Sequence, residues 1–262
     1  IESVINQTYH DLDILILDDA STDNSEKVIE RYLEDKRIKV IFNEKNSGSV
    51  FSQWELGINR SDSEYVWIAE SDDWAEPTLL ENLVPVLEER EQVSIAYCQS
   101  SLVDIKSKIT GNAICWTKDL DGKKWENDFV DDGKSFIGQY LAVRNVIPNA
   151  SAVLQRRSIL DQCLPIEKTF KLCGDWYHWV RMLEFGDVSF VAKSLNNWRL
   201  DSSNVRSRPP GVFEWTEGEC IFSEIGRILG YSDYELLKKK HDFLKQCFSW
   251  LSDHSLNREG SQ

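Results

Sequence analysis

Residues 64–74, "EYVWIAESDDW", decide how this chain is read. Tyr65 to Ala69 is a short run of aromatic and aliphatic residues with the length and composition of a buried strand. It stops in three carboxylates, Glu70, Asp72 and Asp73. Carboxylates this close repel one another. A fold accepts them on an exposed turn, or where a cation sits between them. The first explanation describes a structural turn and the second an enzyme site.

Working outward, the same grammar repeats. "DILILDD" (13–19) is an Ile/Leu run ending in Asp18 and Asp19, and "STDNS" follows as a turn and cap. "SEKVIERYLE" reads as a helix with Ser25 as N-cap, and "IKVIFN" (38–43) as a strand. "NSGSVFSQWELGINR" is a glycine turn running into a helix. After the acidic triplet, "EPTLLENLVPVLEE" predicts a helix with Pro77 near its first turn, and "VSIAYC" (93–98) a strand. This β-α-β-α-β-α-β order predicts an α/β fold with a mostly parallel sheet flanked by helices. Ligands in such sheets bind beyond the carboxyl ends of the strands, where both acidic clusters fall.

Residues 104–134 are polar and predict an irregular excursion. "SFIGQYLAV" reads as helical and "ASAVLQRRSIL" as a strand passing into a helix. "GDWYHWVRMLEFG" is an amphipathic helix closed by Gly186, and "VSFVAKSLNNWRL" suggests strands at a sheet edge. Two helical stretches follow in 214–253. The division expected is a domain over 1–205 and a helical C-terminal extension over 206–262. The chain opens at Ile1 inside an apolar helical pattern, as though a preceding strand were missing.

Composition narrows the function. With 41% hydrophobic and 11% aromatic residues, a core can form, and the net charge of −14 argues against a nucleic-acid surface. Six cysteines without C-x-x-C or Cys/His ligand spacing read as thiols of a reducing compartment. No apolar run approaches the roughly 18–20 residues of a membrane span. The expectation is a cytoplasmic protein, at most associated with the inner face of a membrane.

Four separated motifs, "SVINQTYHDLDILILDDASTDNS", "NEKNSGS", "EYVWIAESDDW" and "CGDWYHWVRML", resemble family 2 glycosyltransferases of the GT-A fold in order and spacing. The resemblance covers residues 1–205. It implies an inverting transferase that moves a sugar from a nucleotide-sugar donor, UDP- or dTDP-linked, to a carbohydrate or lipid-linked hydroxyl in polysaccharide or glycolipid synthesis. Asp18 and Asp19 would contact base and ribose, with Ser21, Asn46 and Gly48 around the nucleotide. An Asx turn leading to a helix cap is the alternative for the Asp pair.

The acidic triplet matches the family's Asp-x-Asp. The resemblance gives Asp72 to Mg²⁺ or Mn²⁺, shared with Asp73, and turns Glu70 toward ribose. Asp175 of "GDW" would be the catalytic base, whereas His178 is read as a packing residue. Asn149 and Ser151 would face the transferred sugar, a plain loop-to-strand junction being the alternative. Asp201 stands where the family often has a metal-assisting His, and is read either as a third ligand or as a surface turn. Trp54 occupies a position where the family often has Arg. Two other functions remain in view, a nucleotidyltransferase and a non-catalytic carbohydrate-binding module.

Overall fold

The computed structural model describes residues 1–200 and 212–245. A short helix α1 (Glu2–Ile5) leads to β1 (Ile14–Asp18), α2 (Ser25–Ile29), β2 (Ile38–Phe42) and α3 (Val50–Asn59). Next come β3 (Tyr65–Trp67), β4 (Trp74–Ala75), α4 (Leu79–Glu89) and β5 (Val93–Val103). The middle of the chain holds β6 (Ile109–Asn112), β7 (Phe129–Asp131) and α5 (Gly133–Phe136), the last continued by a π-helical turn, Ile137–Leu141. Then follow β8 (Val153–Arg156), α6 (Arg157–Leu160), α7 (Gly174–Leu183), β9 (Asp187–Arg199) and α8 (Val212–Leu229). A further helical run covers 233–245.

The α/β class and the flanking helices are as expected, but the strand directions are mixed. β1 and β2 pair in parallel as a two-stranded sheet. The other strands form a seven-stranded sheet ordered β3-β8-β5-β9-β4, with β6 added to β5 and β7 to β9. Within it β5 and β9 are parallel and the other pairs antiparallel. β9 is an inner strand rather than an edge, with β5 on one side and β4 and β7 on the other. The excursion over 104–134 is only partly irregular, because β6 and β7 dock onto the sheet. Ser25 begins its helix rather than capping it, and its N–H is taken by the Asp23 carboxylate at 2.8 Å.

Strand alternation divides the apolar residues between two faces. Ile95 and Tyr97 of β5, Val153 of β8 and Phe190 of β9 enter the larger core with Trp179, Met182 and Leu183 of α7. Ala96, Cys98, Leu154 and Val191 point to the other face. There α4 covers them with Leu79, Leu80, Leu83, Val84 and Leu87, a helical stripe that tolerates Pro85 within it. Ile221, Phe222 and Ile225 of α8 share the larger core, with Phe222 against Trp176 at 5.8 Å. Cys98, Cys115, Cys163, Cys173 and Cys220 form no disulfide. Among the described residues, no helix is long and apolar enough to cross a membrane.

Candidate active site

Asp18 closes β1 and is buried; its carboxylate accepts the Ser21 N–H at 2.9 Å, an Asx-type turn. Asp19 is a hub for the facing loop. It accepts from the Asn43 amide at 2.7 Å, the Ser47 hydroxyl at 2.7 Å, the Ser47 N–H at 2.9 Å and the Gln53 amide at 2.9 Å. Burial works to raise its pKa, but the bonds from Ser47 and Asn43 outweigh that and hold it below the ordinary carboxylate value. Asn46 donates to the Asp19 carbonyl and accepts the Gly48 N–H, each at 2.8 Å. Gly48 sits at φ +70°, a left-handed conformation that glycine adopts without strain. Asp18, Asp19, Ser21, Asn46 and Gly48 are therefore brought together as one loop-on-loop assembly.

The second acidic turn joins β3 to β4. One carboxylate oxygen each from Glu70, Asp72 and Asp73 lies within 4.8 Å of the others. Asp73 is gripped on both oxygens, by the Asn149 amide at 2.6 Å and the Arg199 N–H at 2.9 Å. Arg199 also donates through Nε to the Asp72 carbonyl at 2.9 Å, and its guanidinium lies over Trp74 at 5.1 Å. Below the turn, the Ser151 hydroxyl accepts the Glu70 N–H at 3.1 Å, and the Ser151 carbonyl accepts the Trp67 indole N–H at 2.7 Å. Asn149 and Ser151, expected near the transferred sugar, are buried and bond to the acidic turn. The Asp72 side chain is exposed.

Burial lifts the Asp73 pKa, and the Asp72 charge adds to it, against the bonds from Arg199, Asn149 and Ser151. Converging hard oxygen donors on a rigid turn, one of them facing solvent, fit a divalent cation such as Mg²⁺ or Mn²⁺. Glu70, Asp72 and Asp73 are the residues that could hold it, Asp73 being bonded also to Asn149 and the Arg199 N–H.

Asp175 lies in the first turn of α7 and is buried. It accepts the Trp176 N–H at 2.8 Å and the Asn145 amide at 3.2 Å. The approach to this helix is held by Glu217 of α8, whose carboxylate takes the N–H groups of Lys171, Leu172 and Cys173 at 2.6, 3.1 and 2.7 Å. A negative charge is favourable at a helix N-terminus, where backbone donors lack partners. Gly174 packs against the Phe51 ring so closely that a Cβ there would lie 2.4 Å from it. His178 is buried against Gln155, its Nε2 2.7 Å from Oε1, and burial drives its pKa down to about 3, so it stays neutral. Trp54 is a core residue packed on Phe51 and Trp179, at centroid distances of 5.1 and 6.3 Å.

One segment connects the two chemistries. Within 145–151, Asn145 holds Asp175, Asn149 holds Asp73 and Ser151 holds the Glu70 backbone. Glu217 has no motif of its own in the sequence, whereas Asn145 opens "NVIPNASAVLQRR", a stretch read for Asn149 and Ser151 and not for Asn145. Glu217 sits on a helix remote in sequence from the loop it caps, and Asn145 is only three residues from a Pro-Asn turn signal. Asp201 lies outside the described residues.

An α/β sheet with acidic strand-end turns and flanking helices is what the resemblance to the GT-A fold leads one to expect. Solved structures of S. aureus TarS agree with it: the UDP-GlcNAc complex superposes with a TM-score of 0.71 at 15% identity, covering 95% of this chain and 67% of that one. The family model described as glycosyl transferase family 2 matches residues 1–146, and the chain belongs to that family. An uncharacterized glycosyltransferase of Haemophilus influenzae is 27% identical over 208 residues, 79% of this chain and 62% of the relative. Glycosyltransferase GlyG of Streptococcus pneumoniae is 30% identical over 92 residues, 35% of this chain and 30% of the relative. The chain thus spans less than two thirds of the length of either relative.

Proposed function

We propose that the chain carries out inverting transfer of a sugar from a nucleotide-sugar donor to a hydroxyl acceptor, with Asp175 as the base. The observation that carries this reading is the shared anchoring of Asp175 and the acidic turn by the segment 145–151. A carboxylate base and a diphosphate-binding turn must lie on opposite sides of one anomeric carbon, and a short common support keeps their separation constant. A UDP-linked donor is supported by the TarS structures of the same fold, which are complexes with UDP-GlcNAc and with UDP.

The buried Asp175 carboxylate takes the proton of the acceptor hydroxyl as that oxygen attacks the anomeric carbon. A new glycosidic C–O bond forms on one face while the C–O bond to the diphosphate breaks on the other, and the nucleoside diphosphate leaves with the electron pair. The Asn145 amide orients Asp175 for this step. Mg²⁺ or Mn²⁺, when held by Glu70, Asp72 and Asp73, supplies positive charge to the diphosphate. The Asp18–Asp19 assembly presents a polar rim for base and ribose, and the acceptor is a carbohydrate or lipid-linked hydroxyl.

Asp175→Asn tests the reading. It keeps the shape at the start of α7 but removes the base. Sugar transfer from UDP- and dTDP-sugars falls by roughly 10²–10⁴-fold, the scale of a lost general base, while UDP binding in Mn²⁺ is retained. Turnover close to the parent's would place the base elsewhere.

A further inference from the structure

Trp116 is a large apolar side chain left 44% exposed on the connection between β6 and β7. It is nevertheless fixed on three sides. Its indole N–H donates to the Asn145 carbonyl at 2.8 Å. Its ring meets that of Trp198 edge to face, at 6.4 Å between centroids and 80° between planes. Its carbonyl accepts from Arg144 at 3.3 Å, and that guanidinium is braced by both oxygens of Asp119 at 3.2 and 2.6 Å. A rigid indole in water whose only polar atom is spent inward has apolar surface to offer and little entropy to lose on binding.

Its location names the ligand. Asn145, which receives the indole N–H, is the residue whose amide holds Asp175. Trp198, which meets the ring, precedes Arg199, the residue that grips Asp72 and Asp73. Trp116 therefore stands at the junction of the base and the acidic turn, one residue from the base. The base acts on the acceptor, so what lies against Trp116 belongs to the acceptor.

We propose that Trp116 is a stacking platform for a pyranose ring of the acceptor, so that the acceptor is a carbohydrate rather than a bare lipid alcohol or a protein side chain. This rests on the glycosyl-transfer reading and adds to it the acceptor's chemical class. A pyranose has an axial C–H face, weakly positive, that matches the negative face of an indole. Arg144 and Asp119, paired at the Trp116 carbonyl, are polar groups its equatorial hydroxyls could meet. Stacking would set the reacting hydroxyl at a defined distance from Asp175, which is the contribution of a positioning platform to rate.

The test is ¹⁵N NMR of the tryptophan indole N–H groups in the protein saturated with UDP and Mg²⁺. The Trp116 signal is identified by its loss in Trp116→Phe. The probes are the methyl β-glycosides of glucose, galactose and N-acetylglucosamine, with sorbitol as a non-cyclic polyol. At least one glycoside shifts the Trp116 signal saturably, sorbitol does not, and the buried Trp125 indole, bonded to Tyr97, stays still. Trp116→Ala weakens that glycoside at least about tenfold, read from the Asn145 side-chain amide, the scale on which an aromatic anchor is lost; Trp116→Phe weakens it less. A Trp116 signal indifferent to all three glycosides, or an alanine variant that binds as the parent does, overturns the proposal. Failure of the parent to bind UDP in Mg²⁺ would instead overturn the glycosyl-transfer reading, so the two failures are separable.

Discussion

Two acidic turns close strands on this molecule, and they treat their charge in opposite ways. At Asp18–Asp19 the chain supplies its own donors. Ser21 bonds Asp18, and Asn43, Ser47 and Gln53 surround Asp19. At Glu70–Asp73, Asp73 is bonded by Asn149 and Arg199, and Asp72 contributes its backbone carbonyl to Arg199 while its side chain is exposed. Both clusters read alike as letters. The first is internally compensated and organises a loop; the second leaves the Asp72 side chain exposed.

The sharpest way to break this comparison is Asp72→Ala. If the second turn holds a cation, Mg²⁺-dependent UDP affinity falls by more than the roughly 10–100-fold that removal of an outer-shell partner costs a metal site. Thermal stability stays level, because the exposed side chain gives the fold little and its loss relieves repulsion with Asp73. Calorimetric titration with UDP, with and without Mg²⁺, checks it. Affinity unchanged by the substitution would make the second turn a solvated acidic turn.

Asp19→Ala should do the reverse. It orphans donors from Asn43, Ser47 and Gln53 in one step, at a cost of about 1–3 kcal/mol in unfolding free energy, some of it recovered by water at this half-buried site. Denaturant melts measure that loss. Nucleotide affinity then falls through disorder of the 43–49 loop and regardless of Mg²⁺. A metal-dependent defect here would merge the two turns into one site.

Much of this was legible before any coordinates. Short runs such as "DILILDD" and "VSIAYC" carry the strand signal in composition and length, and Asp72, Asp73 and Asp175 stand in motifs of fixed spacing. Strand direction was not legible. β8 has the same apolar character whether it runs with β5 or against it, and the structure sets it antiparallel. Nor does sequence tell a ligand from a support. The resemblance places Asn149 and Ser151 near the sugar, and the structure adds that they bond the acidic turn's carboxylate and backbone, which the letters do not show. Glu217 was invisible for a similar reason. Its role depends on α8 packing across α7, a contact between segments 44 residues apart in the chain for Cys173 and Glu217.

The smallest expected effect also reads the comparison most directly. Carboxyl ¹³C titration of the metal-free protein should find Asp19 below the ordinary aspartate value of 3.8 and Asp73 above it. The two then make opposite contributions to stability. For Asp19 the unfolded chain binds protons more readily, so its stabilisation is complete above 3.8 and is lost as pH falls through the lower folded value. For Asp73 the folded chain binds protons more readily, so its charge is a penalty at neutral pH that fades as pH falls through the higher folded value. Mg²⁺ should tell the turns apart, because a cation held in the second turn directly favours the ionised form of Asp73 and lies away from Asp19. Adding Mg²⁺ therefore pulls the Asp73 titration down and leaves that of Asp19 where it was. Movement of both, or both titrating on one side of 3.8, would mean that the two turns carry charge in the same way after all.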